Sequence, residues 1–397
     1  MQPANLTPIT AHITVITVGG KTDQYVLDTI LIKVASRCNI NCSYCYVFNM
    51  GDDNYLRQQK LISHQTIEAI MKALHQMVER QERPFSIVLH GGEPLLIGPA
   101  RLEHLLFSLR KVLPHSYPIS VQTNGMLITD AILDICSSYL VSVAVSLDGP
   151  RHVHDNERVD HQGKPTFDAV VKGYSLVRTH QHAEFLNAGL LAVIDPTSDP
   201  AEIYRFFKST GAPSVDFLYK DGNHNRLPQG KQSITSLEYG LWMSQLMEVY
   251  LADAHPMPIR VLDDMMKVLL GGMVTKEGLG LNNFGILVID TDGTLMKNDT
   301  LKSAYNGADK FKSSINIKDV DLFVFIHSDE FNTYREMQRP TAIQCLTCEF
   351  LDVCGGGMLL HRWKEHSDFN NPSIYCADQL HLITHMRSTI QKLVYHA

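Results

Sequence analysis

Residues 29 to about 220 alternate strand-like and helix-like segments, and this alternation constrains the fold more than any other feature of the chain. Short apolar runs predict buried strands, and the 3.6-residue apolar period between them predicts helices. One helix is predicted around Ile67–Val78, with Ser63 as its N-cap. The predicted strands are Thr29–Val34, Phe85–His90, Ile119–Thr123, Val141–Leu147, Leu186–Ile194 and Ser214–Leu218. The other predicted helices are Ala100–Leu113, Thr129–Tyr139, Phe167–His182 and Ala201–Thr210.

Six strand–helix units in a row imply a parallel sheet, because each helix must return the chain to the same edge of the sheet. In such α/β folds the functional residues lie just after the carboxyl ends of the strands. The turns that follow the predicted strands are therefore the first places to search for a site.

Four of these turns carry polar or reactive residues. Cys38, Cys42 and Cys45 follow the first strand in a C-x3-C-x2-C pattern. His90-Gly-Gly-Glu-Pro94 follows the second strand, Gln122–Gly125 the third, and Ser146–Pro150 the fourth. Taken alone, each turn has a residue composition that ordinary turns without a functional site also show. Four of them at matching strand ends, one with three cysteines, indicate a shared site.

The cysteine triad is suited to a soft metal centre, above all an iron–sulfur cluster. Three cysteines on a four-iron cluster leave one iron without a protein ligand, and that iron can bind a substrate or cofactor. The spacing alone also allows a zinc site that lacks a ligand, or three buried thiols without a metal.

Length and composition indicate a globular protein of about two domains. The net charge is −7 and no block of Lys and Arg occurs, so a nucleic-acid-binding protein is not expected. Residues 1–6 contain no basic signal-peptide region, and no apolar run reaches membrane-spanning length. We therefore expect a cytoplasmic protein without a membrane partner.

Seven of the eight cysteines fall into two groups near opposite ends of the chain, and clustered cysteines in a cytosolic protein indicate metal sites. Cys136 stands alone on a predicted helix face and is expected to be a small buried apolar residue. The second group is Cys345-x2-Cys348-x5-Cys354 with Cys376 further on. Four thiolates at this spacing can form a zinc site or hold a complete four-iron cluster.

The chain after the predicted strands continues with a turn-rich linker at 221–235 and helices at Leu237–Asp253 and Ile259–Leu270. A hairpin is predicted from Ile286–Asp290 and Thr294–Lys297, with Asp-Gly as its turn. Asn298 and Asp299 follow the hairpin directly.

The triad followed by Gly-Gly-Glu-Pro resembles the radical S-adenosylmethionine (radical SAM) superfamily over residues 29–220. The resemblance implies an α/β fold with a partial (β/α)6 barrel. It also implies a [4Fe–4S] cluster on Cys38, Cys42 and Cys45 whose open iron binds S-adenosylmethionine. Reductive cleavage of this cofactor yields a 5′-deoxyadenosyl radical, and an electron donor such as flavodoxin or ferredoxin is implied.

The resemblance also assigns roles to individual residues. Tyr44 and Leu218 would contact the adenine, Gly91, Gly92 and Glu93 the methionine amine, Ser146 the ribose or methionine end, and Arg158 the cofactor, as in the sulfatase maturases. Asp299 matches the proton acceptor of those maturases, although a solvated hairpin carboxylate is equally compatible. His90 would face the substrate, or hold a structural hydrogen bond at a strand end.

The C-terminal part resembles the SPASM extension of peptide- and protein-modifying radical SAM enzymes. Cys345, Cys348, Cys354 and Cys376 match the ligands of its second auxiliary cluster. Asn298 and Met358 stand where ligands of the first auxiliary cluster are expected, so one auxiliary [4Fe–4S] cluster is implied. The implied organisation is an extension at 1–28, the barrel at 29–220, a linker with bridging helices at 221–283, and a SPASM-like domain at 284–397.

The segment Cys45–Asn54, with Gln59-Lys60 beyond it, resembles a branch of these maturases that modifies ribosomally made precursor peptides. Several of its members join an aromatic ring carbon to an unactivated carbon and form a cyclophane. The alternatives are formylglycine formation, as in anaerobic sulfatase maturases, and a non-catalytic zinc-binding interaction protein. No winged-helix segment is recognised, so leader recognition is expected at the barrel rim or on a separate protein.

Overall fold

The computed structural model describes residues 26–282 and 284–395. Residues 1–25 of the predicted N-terminal extension lie outside the described part. The strands are β1 Thr29–Ala35, β2 Ile40–Cys42, β3 Ser86–Gly91, β4 Ile119–Thr123, β5 Val141–Ser146, β6 Arg158–Asp160, β7 Asn187–Val193, β8 Val215–Leu218, β9 Ile286–Ile289 and β10 Leu295–Met296.

Eight strands form one sheet in the order β10-β9-β1-β3-β4-β5-β7-β8. The six predicted barrel strands are consecutive neighbours in this sheet and run parallel, so the prediction of six strand–helix units is confirmed. The ends of these strands differ from the predicted ends by at most one residue. The carboxyl ends of all six strands therefore lie at one edge, where the polar turns meet.

Helices connect and cover the sheet, and the predicted N-cap is confirmed because Ser63 Oγ accepts from the Thr66 N–H at 3.1 Å. The helices of the N-terminal part are α1 His64–Arg80, α2 Pro99–Val112, α3 Asp130–Ser138, α4 Arg151–Glu157, α5 Phe167–Thr179, α6 Ala183–Leu186 and α7 Pro200–Ser209. Those of the C-terminal part are α8 Glu238–Ala252, α9 Arg260–Leu269, α10 Leu322–Ile326, α11 Asp329–Met337, α12 Ile343–Leu346, α13 Leu351–Cys354 and α14 Cys376–Tyr395.

The predicted hairpin is present as β9 and β10, which pair antiparallel. Strand β9 also pairs in parallel with β1, from Thr29 opposite Ile286 to Ile32 opposite Ile289. The hairpin thus extends the barrel sheet and carries Asn298 and Asp299 to the edge where β1 ends.

The long C-terminal helix α14 packs against the bridging helix α8. A Cβ on Gly240 would lie 2.7 Å from the Asp378 carbonyl oxygen, so only glycine allows this approach. The Gly240 N–H donates to Asp378 Oδ1, and Lys231 Nζ lies 2.6 Å from the other carboxylate oxygen. These contacts fix the helix that begins at Cys376. Within the described part of the chain, no helix is long and apolar enough to cross a membrane.

Candidate active site

A cavity of about 420 Å³ lies at the carboxyl ends of the barrel strands, between the barrel and the C-terminal part. Cys38, Cys42 and Cys45 line it from the barrel, and Cys354 lines it from the C-terminal part. Of the other predicted site residues, the lining includes Tyr44, His90, Gly91, Gly92, Ser146, Arg158 and Leu218. One cavity therefore contains most of the predicted site residues.

The cysteine loop is held against the end of β3 by close backbone contacts. A Cβ on Gly91 would lie 2.1 Å from the Ala35 carbonyl oxygen, and one on Gly92 would lie 2.2 Å from the Arg37 carbonyl oxygen. The Gly92 N–H donates to Ala35 O at 2.9 Å. Both glycines thus let the chain that enters Cys38 lie directly on the strand end.

A second support for the loop is a two-stranded sheet of β2 and β6, in which Cys42 is paired with Arg158. The pairing brings Arg158 Nη1 to 3.9 Å from Cys42 Sγ, while Asn124 Nδ2 lies 3.7 Å from Cys38 Sγ. Polar groups therefore surround the sulfur atoms on two sides.

The donor set fits an iron–sulfur cluster. Cys38, Cys42 and Cys45 line one cavity. Burial raises the pKa of the Cys38 and Cys42 thiols to about 12, and the charges of neighbouring cysteines contribute to this rise. Such thiols stay protonated unless a cation binds them. No three His, Cys, Asp or Glu side chains in the described part of the chain are grouped to hold one metal ion. Thiolates of a four-iron cluster each bind a different iron, so they stand further apart than ligands of one ion.

Asp148 organises the cofactor side of the cavity. One of its oxygens lies 2.8 Å from Arg158 Nε and accepts the Tyr44 hydroxyl at 2.5 Å. Its other oxygen accepts the Val193 N–H at 3.0 Å. The guanidinium of Arg158 lies 5.5 Å from the centre of the Tyr44 ring. A buried carboxylate thus fixes the two residues that the family resemblance assigns to the cofactor.

Glu93 is buried and does not line the cavity. Its carboxylate accepts from the Leu95 N–H at 2.9 Å, the Thr123 hydroxyl at 2.7 Å and the Asn124 N–H at 2.8 Å. Asn124 in turn donates to Asn39 Oδ1 at 2.7 Å beside Cys38. These contacts give Glu93 a structural role in the turn, and its role toward the methionine amine stays a prediction.

Glu93→Gln is expected to lower the free energy of unfolding by about 1–3 kcal/mol, because an amide cannot accept all three hydrogen bonds. Urea titration without S-adenosylmethionine measures this change, and Glu103→Gln, on the exposed face of α2, is the matched control. Unchanged stability combined with weaker cofactor binding would instead assign Glu93 to the ligand.

Ser146 is the last residue of β5 and Leu218 the last residue of β8, and both line the cavity. Gln122 Nε2 donates to Ser146 Oγ at 3.0 Å. Leu218 is 37% exposed, as expected for an apolar side chain that borders a ligand site. Their contacts to the cofactor remain predictions.

The two predicted catalytic residues occupy different places. His90 lines the cavity, and its buried Nδ1 has no hydrogen-bond partner among the described residues. Asp299 is 1% exposed, does not line the cavity, and lies 2.6 Å from Lys33 Nζ. Lys33 and His90 are register partners on β1 and β3, so Lys33 adjoins both Asp299 and the half-buried His90.

The charges in this group determine how its members can exchange protons. Burial lowers the pKa of His90 to about 4, so the imidazole is neutral at pH 7. Burial opposes ionisation of Asp299, but the charges of Lys33 and Lys302 hold its pKa below the usual value. A carboxylate with a lowered pKa is a weaker base, so Asp299 is ionised but poorly basic in this arrangement.

The second cysteine group also comes together. Burial, with a smaller contribution from the charges of Cys376, Cys345 and Cys348, raises the pKa of the Cys354 thiol to about 12. Gln344 Nε2 lies 3.7 Å from Cys376 Sγ, and Cys354 Sγ lies 2.8 Å from Gln379 Oε1. Short helices α12 and α13 and the start of α14 thus present four thiols that fit an auxiliary cluster.

Sequence reasoning missed three supporting residues. Asp148 and Asn124 stand in the polar turns but have no distinctive spacing, and Lys220 lies in the predicted barrel–linker junction. Lys220 Nζ lies 2.6 Å from Glu157, the residue before Arg158. The contacts of these three residues could be inferred only if the strand order were already known.

The model of the radical SAM superfamily matches residues 32–206. A cysteine-type anaerobic sulfatase-maturating enzyme of Clostridium perfringens is 25% identical over 363 residues, covering 88% of this chain and 93% of that protein. A serine-type anaerobic sulfatase-maturating enzyme of Bacteroides thetaiotaomicron is 24% identical, covering 85% and 84%.

Two solved structures share the fold over most of the chain. The structure of anSMEcpe with bound AdoMet has a TM-score of 0.79 at 20% identity, and the match covers 93% of this chain and 100% of that one. Streptococcus suis SuiB bound to its precursor peptide SuiA has a TM-score of 0.60 at 13% identity, covering 88% and 76%. The comparisons give no support to a non-catalytic zinc-binding protein. Residues 32–206 form a radical SAM domain, the domain of a superfamily of enzymes that use S-adenosylmethionine and a [4Fe–4S] cluster.

Proposed function

We propose that this enzyme removes a hydrogen atom from a ribosomally made precursor peptide and forms a carbon–carbon cross-link to an aromatic residue. The main support is that one cavity is lined both by the cysteine triad and by Cys354 of the second thiol group. A peptide held there lies between two sites suited to electron transfer. Proteins matched over most of this chain include maturases and a structure with a bound precursor peptide.

In this proposal the chain's own residues bind, orient and shelter the reactants. Cys38, Cys42 and Cys45 hold the cluster, and the pair Asp148–Arg158 fixes the wall beside it. The bound cluster and S-adenosylmethionine supply a 5′-deoxyadenosyl radical. Because such a radical reacts with most C–H bonds, the enclosed cavity must exclude solvent and hold the peptide in contact. An external one-electron donor such as flavodoxin or ferredoxin reduces the cluster.

Cross-link formation removes two hydrogen atoms from the peptide. The first leaves as a hydrogen atom, and the carbon radical adds to the aromatic ring. The second leaves as an electron and a proton when the ring regains aromaticity. The auxiliary cluster would accept this electron, and Cys345, Cys348, Cys354 and Cys376 would hold that cluster. We assign the proton to the His90–Asp299 group, in which His90 is the member that faces the cavity.

Formylglycine formation is the second candidate, and the curated relatives favour it because cysteine-type and serine-type sulfatase maturases both match most of the chain. Against it stand Asn298 and Met358, at the positions where the resemblance expects ligands of a first auxiliary cluster. Both line the cavity, so a cluster missing there changes the wall that faces the substrate.

Incubation of the reduced, iron-loaded enzyme with the short peptide encoded beside it separates the two candidates. We expect a product that lacks two hydrogen atoms, resists fragmentation between the joined residues, and does not react with a hydrazide. A hydrazide-reactive product from a Ser or Cys peptide would establish formylglycine formation instead. An unmodified peptide, with S-adenosylmethionine cleaved at the rate seen without it, would contradict both.

A further inference from the structure

One wall of the cavity carries polar side chains that the proposed reaction does not use. Asp221 follows the last barrel strand, Glu277 lies in the loop after α9, and His361 belongs to the C-terminal part. All three line the cavity. Cys45 lines the same cavity, so this wall shares one enclosed space with the cysteine triad.

Glu277 has no cationic partner within ion-pair distance in the described part of the chain. The Glu277 carboxylate accepts a hydrogen bond from the side-chain amide of Asn298. The preceding Lys276 instead lies 3.1 Å from Asp216. Burial raises the pKa of Glu277 to about 7, while the Asn298 hydrogen bond and the charge of Arg362 act in the opposite direction.

Arg362 does not neutralise this wall directly. Its Nη2 donates to the carbonyl oxygens of Met337 and Gln338 at 3.1 and 2.6 Å. Its charge acts on Cys345, Glu277 and Cys354, but Arg362 does not come within ion-pair distance of Glu277. Among the described residues, no Lys or Arg side chain therefore makes a direct ion pair with Glu277.

His361 is a second, independent feature of this wall that points to a ligand. The side chain is 2% exposed, and its Nε2 has no hydrogen-bond partner among the described residues. The nearest carboxylate oxygen, Asp221 Oδ1, lies 3.8 Å away, which is too long for a hydrogen bond. Buried polar atoms are nearly always paired, so an unpaired one that faces a cavity indicates a partner in the bound ligand.

We propose that Asp221 and Glu277 form a subsite that binds a basic side chain, Arg or Lys, of the peptide substrate, with His361 contributing a further hydrogen bond. The subsite rests on the proposed function, because its ligand is a side chain of the peptide substrate. It adds the requirement that the peptide carries a basic residue near the reacting residue. Two carboxylates without a direct ion pair to Lys or Arg among the described residues favour a guanidinium or ammonium group, which can hydrogen-bond to both. The Lys220 ammonium does not compete, because it lies 2.6 Å from Glu157.

Binding tests this subsite without catalysis. The probes are a blocked glycine peptide with one phenylalanine and one arginine, and the same peptide with citrulline in place of arginine. Isothermal titration calorimetry with iron-loaded, full-length enzyme and S-adenosylmethionine is expected to show binding of the arginine peptide at least about tenfold tighter, since one charge-assisted hydrogen bond supplies that factor. Glu277→Gln combined with Asp221→Asn is expected to abolish the preference, and Glu103→Gln to retain it.

Iron content and circular dichroism confirm that the isosteric variants are folded and loaded. Equal affinity for the two peptides, no binding of either at the highest soluble concentration, or a preference that survives in the double variant would overturn the subsite. A failure of cross-linking with arginine preference intact would instead contradict the proposed function alone.

Discussion

Replacing Cys38, Cys42 and Cys45 together by Ala is expected to abolish formation of 5′-deoxyadenosine and to remove about half of the iron. With seven clustered cysteines we expect two four-iron clusters, or about eight irons per chain. The triple variant keeps the second thiol group, so about four irons should remain. Iron analysis and ultraviolet–visible absorption measure the clusters, and chromatography measures the nucleoside.

Cys136→Ala is the matched control for this experiment. Cys136 is a free, fully buried cysteine on α3, away from both thiol groups. The Cys136→Ala substitution should therefore leave the iron content unchanged. Continued cleavage of S-adenosylmethionine by the triple variant would show that the radical cluster is held elsewhere. Complete loss of iron would show that the two thiol groups load as one unit.

Asp299→Asn is expected to reduce product formation by about 10²–10⁴-fold if Asp299 takes part in proton removal, while cleavage of S-adenosylmethionine falls much less. The ion pair with Lys33 complicates this variant, because loss of one member of a buried pair costs about 3–5 kcal/mol. The double variant Asp299→Asn/Lys33→Met removes the unpaired charge. Both reactions should be measured in all three proteins, with unfolding curves.

The double variant separates the two roles of Asp299. If the carboxylate is chemically required, the double variant regains stability but not product formation. Recovery of both would show that Asp299 serves only to neutralise Lys33, and the proton then leaves through His90 or water. The lowered pKa of Asp299 makes this comparison necessary, because its position alone does not make it a good base.

The barrel could be predicted closely from the sequence because its strands are short, apolar and separated by amphipathic helices. Ile119–Thr123 is predicted and observed with the same ends, and α1 begins after the predicted Ser63 cap. The pairing of β9 with β1 could not be predicted, since periodicity identifies a strand but not its neighbour. That pairing places the hairpin that precedes Asp299 beside β1, and Asp299 contacts Lys33 of β1.

The site was predictable where residue type and spacing carry the chemistry, as in both thiol groups. It was less predictable where one side chain supports another. Glu93 fits a ligand-binding motif by sequence, yet its carboxylate accepts three protein hydrogen bonds. Asp148 occupies an ordinary Asp-Gly turn and still holds Arg158 and Tyr44. Such roles depend on contacts between distant segments, which local patterns do not encode.

Hydrogen abstraction from a peptide carbon is the central claim, and isotope transfer tests it most directly. The short peptide encoded beside the enzyme is prepared with deuterium on its side-chain carbons and incubated with reduced, iron-loaded enzyme and unlabelled S-adenosylmethionine. Mass spectrometry of the 5′-deoxyadenosine is expected to show one deuterium gained, in amounts that match the modified peptide. Unlabelled 5′-deoxyadenosine formed together with modified peptide would contradict the claim.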